Sequence, residues 1–530
     1  MKKYLIIIIL IAILFRTVNL EFIPHWDWDE GENLNIAWNL ANGRMQDFAI
    51  SYPFVPHPPL YFMILALSLK LFGNLLIVER FLTVLFSLIT VVFVYLIGKE
   101  AYSEKLGLIA SFLYAIHPTA IYFSRFGFSN NLVALLNIVA LYFLILYLKN
   151  LRILYILLSG FFVGLITITE YSGLFTLMGF GFVLLMYDRK RLWVLVIPTV
   201  IFGGYVTSML LLMKDAFIHD LMYTILGGTK TSTSLTLKDQ GVRIFGLIYI
   251  LTIYYFRKHI RGIFKTIVNS VISDAPVFYF FISVIIFVPP SDGWFFTYPD
   301  YFWLGIIGIF LFNNDTIKRV VSIFFTASFM YIIVNNRMDH MPIPLYPFFA
   351  LGLSVLITRT YETTKEYLDR LLKTKLDIKK ISLISFIVVF YPIAITFYWD
   401  ISLFFLGKNL LTEPISDNIQ VTKYVNDNSN ENDVIITYSF LSHILKAKNV
   451  ILLQSVAYDG KSISYYPADL PKERFFFNAS YRNSKFIILS NGTVGWIKNE
   501  TSTKDIVSDI ENWPRIDIGR LALYKNPNID

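Results

Sequence analysis

Apolar runs of membrane-crossing length recur from the first residues to about residue 403, separated by short loops that hold much of the charge. A span needs about 20 predominantly apolar residues, or fewer where flanking side chains snorkel. The runs fall at 4–20, 80–98, 107–123, 131–148, 153–169, 172–187, 192–213, 243–256, 275–289, 300–312, 320–335, 343–358 and 381–403. Segment 58–73, HPPLYFMILALSLKLF, is short and carries Lys70, and sidedness decides how it is read. If it does not cross, Lys2 and Lys3 share one side with the basic loops KEAYSEK, KNLR, YDRKR, FRKHIRGIFK, TIKR and residues 359–380. The positive-inside rule makes that side cytoplasmic. The segment then reads as a helix along the outer interface, begun by Pro58 and Pro59, where a missing N–H costs little. The pattern predicts an all-α polytopic domain of about thirteen spans, with the N-terminus inside. Lys2, Lys3 and the apolar run to Phe15 have the look of a signal peptide, but no small-residue cleavage site follows, so this is read as an uncleaved first span.

From about Gly407 the pattern changes. DVIIT, NVILL, KFIILS and RLALY read as short buried strands, with helix-like LSHILKA and TKDIVSDI between them. The expected organisation is a membrane domain over 1–406, with its first outer loop at 21–79, and a small extracytoplasmic α/β domain over 407–530. Three N-x-S/T triplets, at Asn478, Asn491 and Asn499, fit an exterior location.

Composition sharpens this picture. The chain is 55% hydrophobic and 16% charged over 530 residues, more apolar than a water-soluble fold of this size hides. The net charge of +8 could suggest nucleic acid, yet the basic residues concentrate in loops between apolar runs and read as topology signals, so no nucleic-acid partner is expected. With no cysteine, a disulfide, a thiol nucleophile and a thiolate-held metal are excluded. P-loop, HExxH and GxSxG patterns are absent.

Four loops of chemical interest share the outer face: 21–73, 124–131, 214–242 and 336–342. The densest is HWDWDEGEN, which sets Asp27, Asp29, Glu30 and Glu32 just beyond the first span. Such a cluster can lift one carboxylate into the range of a general base or hold a divalent cation, the one cofactor the sequence suggests. It can equally be a solvated acidic loop that caps the helix GENLNIAWNLANG. Arg125 in YFSRFGFSNN can grip a phosphate or merely snorkel. His57 in VPHPPLY reads as a turn residue or a donor to a charged oxygen. Arg337, Asp339 and His340 lie together at another outer boundary, and Glu170 in ITITEYSG is a pocket-lining candidate.

Taken together, the DE pair after the first span, HPPLY, the following FG with Arg80, the YFSR loop and MPIPLYPFFALG resemble a known family. They are similar to the C-type membrane glycosyltransferases of the protein O-mannosyltransferase and lipid A aminoarabinose transferase group. The resemblance covers nearly all the membrane region. It implies transfer of a sugar from a polyprenyl- or dolichyl-phosphate donor to an acceptor protein, lipid or glycan on the outer face. It implies Asp29 as catalytic base, with Glu30 beside it. Arg125, Arg337, Arg80, His57 and His340 are then the cationic candidates for the departing phosphate. Asn130 stands where the family commonly has an acidic residue, and Glu170 where a basic one is frequent; both are kept as substrate-binding candidates. The alternative from another class, a multi-span transporter or flippase, would more usually carry ionisable residues midway through its spans and an inverted repeat.

The cysteine-free chain makes the topology directly testable. A reporter at Asn42→Cys should label from outside in intact cells, whereas one at Lys258→Cys should not; external labelling at 258 would reverse the assigned sidedness.

Overall fold

The computed structural model describes residues 2–43, 57–225, 305–309, 311–312, 314–334, 340–371, 398, 401, 415–452, 480–490, 492–494 and 504–529. The expected spans at 243–256 and 275–289, and nearly all of 381–403, lie outside these residues. So does Arg337.

The first helices are α1 (Lys2–Thr17), α2 (Trp28–Ala41), α3 (Leu60–Phe72), α4 (Leu76–Ala101), α5 (Glu104–Ala115) and α6 (Pro118–Ser124). They are followed by α7 (Asn130–Asn150), α8 (Ile153–Thr167), α9 (Gly173–Tyr187), α10 (Val196–Met213) and α11 (Asp215–Ile225). Further helices cover Asp315–Val334 and Tyr346–Leu371. Among the described residues three helical stretches are long and apolar enough to cross a membrane: Leu76–Ala101, Asn130–Asn150 and Arg189–Met213. A fourth is added if α5 and α6 are counted as one broken span. Helices α3, α8 and α9 are apolar but shorter. Helix α3 begins directly after Pro59, the start read from the sequence.

The run 107–123, expected as one span, is two helices bent by 61°. The cause is Pro118, which opens α6 and has no N–H to give to the carbonyl of Tyr114 one turn back. Arg16, fully buried on α1, repairs the break. Its guanidinium donates to Tyr114 O at 3.1 Å and Ala115 O at 2.8 Å, and its Nε to Ser87 Oγ at 2.9 Å. A cation inside an apolar bundle is tolerated because it meets backbone groups that would otherwise be orphaned.

Among the described C-terminal residues a five-stranded sheet is formed by β1 (Val434–Thr437), β2 (Asn449–Leu452), β3 (Ser484–Ser490), β4 (Arg515–Ile518) and β5 (Leu521–Lys525). The strand order is β2-β1-β3-β5-β4. Strand β1 runs parallel to both neighbours, while β3/β5 and β5/β4 are antiparallel. Four of these strands are the four apolar runs seen in the sequence. Strand β4 was not legible there, because RID is exposed and lacks an apolar run. Of LSHILKA only the leading Leu441-Ser442 is helical, in the short helix Ser439–Ser442. One continuous apolar cluster joins this sheet to the helices. It runs from Trp26, Leu34, Tyr61 and Leu132 to Phe440, Leu441 and Ile487.

Arg16→Met should keep the bulk and lose the repair. Orphaning the two carbonyls costs about 1–3 kcal/mol each, so the detergent-solubilised variant is expected to melt well below wild type in a thermal scan. An unchanged melting temperature would show that other groups satisfy the break.

Candidate active site

The connection between α1 and α2 has no regular structure, and its backbone is held by two buried arginines from elsewhere in the chain. Arg125 donates from Nε and Nη2 to Ile23 O at 3.0 and 2.8 Å, from Nη1 to Phe15 O at 2.7 Å and from Nη2 to Val18 O. Arg80, in the first turns of α4, donates to Leu20 O at 2.9 Å, Pro24 O at 3.1 Å and His25 O at 2.9 Å. Its other face meets Glu30 in a two-point pair, Nε to Oε1 at 2.8 Å and Nη2 to Oε2 at 2.7 Å, with both side chains fully buried. Glu30 also accepts from the N–H of Gly127 at 2.9 Å and from the N–H of Asp27 at 3.2 Å. All of its visible acceptor geometry is therefore used.

The last of these bonds belongs to a capping box. Asp27 is the N-cap of α2 and accepts from the N–H of Asp29 at 2.9 Å, while Glu30 reaches back to the cap. Box and ion pair together fix the first turn of α2. Asp29, in that turn, is left half-exposed, with Oδ2 4.0 Å from Nδ1 of His340. The His340 ring stacks on Phe128 with centroids 4.5 Å apart. Phe128 follows Gly127, whose carbonyl accepts from Asn33 Nδ2 at 2.7 Å. Three segments remote in sequence, around residues 27–33, 125–128 and 340, thus close on one carboxylate.

Four neighbouring carboxylates have four different environments. Asp27 keeps some surface open, but the chain around it removes enough water that burial, then the charges of Asp29 and Glu30, push its carboxyl up to about 8. Glu32 is also raised well above the usual carboxylate range, by burial first and then by Asp29 and Asp27. Glu30 is bound by Arg80. Asp29 alone combines exposure with an imidazole neighbour.

The remaining expected site residues are distributed as follows. Asn130 opens α7 and is buried, and its Nδ2 has no hydrogen-bond partner among the described residues. Glu170 is buried in the α8–α9 connection and accepts from Ser129 Oγ. The same connection is tied to the HPPLY segment by Leu60 N–H to Ile168 O at 2.9 Å. His57 is exposed beside Phe62. Sequence reading missed Glu79, a fully buried carboxylate next to Arg80 that accepts from Tyr61 at 2.9 Å. A Cβ on Gly127 would collide with the Glu79 carboxyl, so the second loop passes this carboxylate only as glycine. An acidic-basic pair opening an apolar run, ERF in this chain, was the available signal. Among the described residues no group of three or more His, Asp or Glu side chains is arranged to hold a metal ion.

Residues 56–213 match the family model described as dolichyl-phosphate-mannose-protein mannosyltransferase. ArnT from Cupriavidus metallidurans in the apo state superposes with a TM-score of 0.62 at 11% identity, covering 99% of this chain and 98% of that one. The chain resembles the C-type membrane glycosyltransferases. ArnT from the same organism bound to undecaprenyl phosphate gives a TM-score of 0.59 at 10% identity, with 99% and 97% covered. The archaeal oligosaccharyltransferase AglB from Archaeoglobus fulgidus, in complex with an inhibitory peptide and a dolichol-phosphate, gives 0.58 at 15% identity, with 97% and 72% covered. No curated protein matches the sequence. The fold of these glycosyltransferases is thus common to chains that share little sequence with this one.

The raised Asp27 carboxyl has a signed consequence. The unfolded chain releases this proton near 3.8, whereas the folded chain holds it to about 8. The folded state therefore binds more protons between these values, and stability falls as pH rises through the window. Asp27→Asn, which stays neutral, should flatten the decline in melting temperature between about pH 4 and about pH 8. An equally steep decline in the variant would assign it to other groups.

Proposed function

We propose that this chain transfers a sugar from a polyprenyl-phosphate-linked donor to an acceptor hydroxyl or amine on the outer face of the membrane. In this reading the N-terminus is cytoplasmic and residues 407–530 are extracytoplasmic. The observation that carries the proposal is Asp29: a half-exposed carboxylate on a clamped helix turn, 4.0 Å from His340. It stands in a chain with the fold of ArnT, which has been seen with undecaprenyl phosphate.

The chemistry needs a base for the acceptor, positive charge for the departing phosphate and a fixed geometry between them. Asp29 takes the acceptor proton as the acceptor oxygen or nitrogen attacks the anomeric carbon. The bond from that carbon to the phosphate oxygen breaks, and its electron pair leaves with the polyprenyl phosphate. Attack opposite the phosphate inverts the anomeric centre. His340, adjacent to the base, and Arg337, three residues earlier, are the candidates for the phosphate. Asn130, Glu170 and His57 are the polar candidates for contacts along the donor. Arg80 and Arg125 act through the backbone they hold, and Glu30 through the helix turn it fixes. The acceptor is a protein, a lipid or a glycan.

The test uses purified protein and a panel of polyprenyl-phosphate sugars, with released polyprenyl phosphate as the readout. Asn is nearly isosteric with Asp but takes up no proton near neutral pH. Asp29→Asn should therefore fold and bind donor close to wild type and turn over roughly 10²-fold more slowly. Asp27→Asn should cost far less. Wild-type turnover by folded Asp29→Asn protein would remove Asp29 as the base.

A further inference from the structure

We infer that the C-terminal sheet is a positioning device for the first-loop helix: the turn after β1 holds α2 so that Asp29 stands opposite His340. The catalytic consequence rests on the transferase reading above, while the mechanical part does not.

Strand β1 has a parallel neighbour on each side, so the strand order reverses about it. The carboxyl end at such a reversal is where open α/β sheets generally form a ligand crevice. In this chain the crevice edge meets α2. Trp28 lies edge-on to Tyr438 with centroids 4.8 Å apart and to Phe440 at 6.2 Å, and those two rings stack on each other at 5.1 Å. Tyr438 is itself fixed, because its hydroxyl accepts from Ser490 N–H at the end of β3 and bonds Thr493 Oγ1 at 2.8 Å. Ser439 Oγ donates to the Trp28 carbonyl. Asn35 Nδ2 donates to Ser442 Oγ at 2.7 Å.

The contact is also as close as backbones allow. A Cβ on Gly31 would overlap the backbone of Ser439 and Phe440. Trp28, Gly31 and Asn35 follow one another at three- and four-residue spacing, which puts them in a single stripe of the helix. Asp29 is one residue on, about 100° around the axis, and Glu30 a further step toward Arg80. The sheet and the buried ion pair therefore grip α2 from different sides, and the carboxylate at issue lies between the two grips. Trp28 and Ser439 are 411 positions apart, so the last part of the chain sets the geometry of the first loop.

Two measurements test this. In the cysteine-free background, the pair Asp29→Cys with His340→Cys reports their proximity through the yield of a short thiol-to-thiol crosslinker. Adding Gly31→Ala, which must push the turn away, should cut that yield several-fold. In the otherwise native chain, Gly31→Ala should lower kcat by about 10²-fold, with donor KM changed by less than about threefold. Ser439→Ala, which removes one hydrogen bond and introduces no clash, should lower both readouts in the same direction by roughly threefold to tenfold. It serves as the arm that survives if Gly31→Ala fails to fold. Wild-type crosslinking and wild-type kcat in folded Ser439→Ala or Gly31→Ala protein would overturn the inference. Reduced crosslinking in the variants of a protein that transfers no sugar would uphold the mechanical coupling and reject the transferase reading.

Discussion

Glu30 and Arg80 are both fully buried, and taking two such ions out of water costs several kcal/mol apiece before anything is regained. The pair persists because nothing about it is left unsatisfied. Two parallel hydrogen bonds join the ions, loop carbonyls take the other guanidinium donors, and two backbone N–H groups complete the carboxylate. Each of these bonds belongs to a different piece of the site: the start of α4, the α1–α2 connection, the capping box of α2 and the second loop at Gly127. Removing either partner would strand a buried charge, at about 3–5 kcal/mol, and would release all four pieces together.

The same pair explains how four carboxylates share six residues without driving the loop apart. One is neutralised by an arginine. Burial and neighbouring charge favour the protonated form of two others, Asp27 and Glu32. This lowers the like-charge repulsion around the half-exposed Asp29. The cluster is therefore a hierarchy of environments, with helix capping, ion pairing and solvent exposure falling to different members.

Arginines at apolar boundaries have a common use in this chain. Arg16, Arg80 and Arg125 are all fully buried, and each donates to main-chain carbonyls left without partners where a helix breaks or a loop runs irregularly. Five donors in a planar fork suit this task better than an ammonium would. Irregular backbone near an apolar interior needs such partners, and the arginines supply them where water cannot. The guanidinium of Arg125, a phosphate candidate by its charge, reaches the carbonyls of Phe15, Val18 and Ile23.

The sequence by itself determined the elements. Hydrophobic runs and their punctuation marked most of the described helices, the start of α3 after Pro59, four of the five strands and the acidic turn that carries Asp29. These features depend on local chemistry, on spacing and side-chain polarity that a one-dimensional reading can weigh. Only the tertiary structure decided which partners the polar residues have. Whether Glu30 is open or paired depends on Arg80, 50 positions on. Whether Asp29 has an imidazole neighbour depends on His340, and where α2 points depends on Ser439. The break at Pro118 was legible as a residue, but its repair by Arg16 was not, because that hydrogen bond joins segments about a hundred positions apart. Burial, and with it the cost of a charge and the pull of a proton, is a property of the packed chain, and no local pattern encodes it.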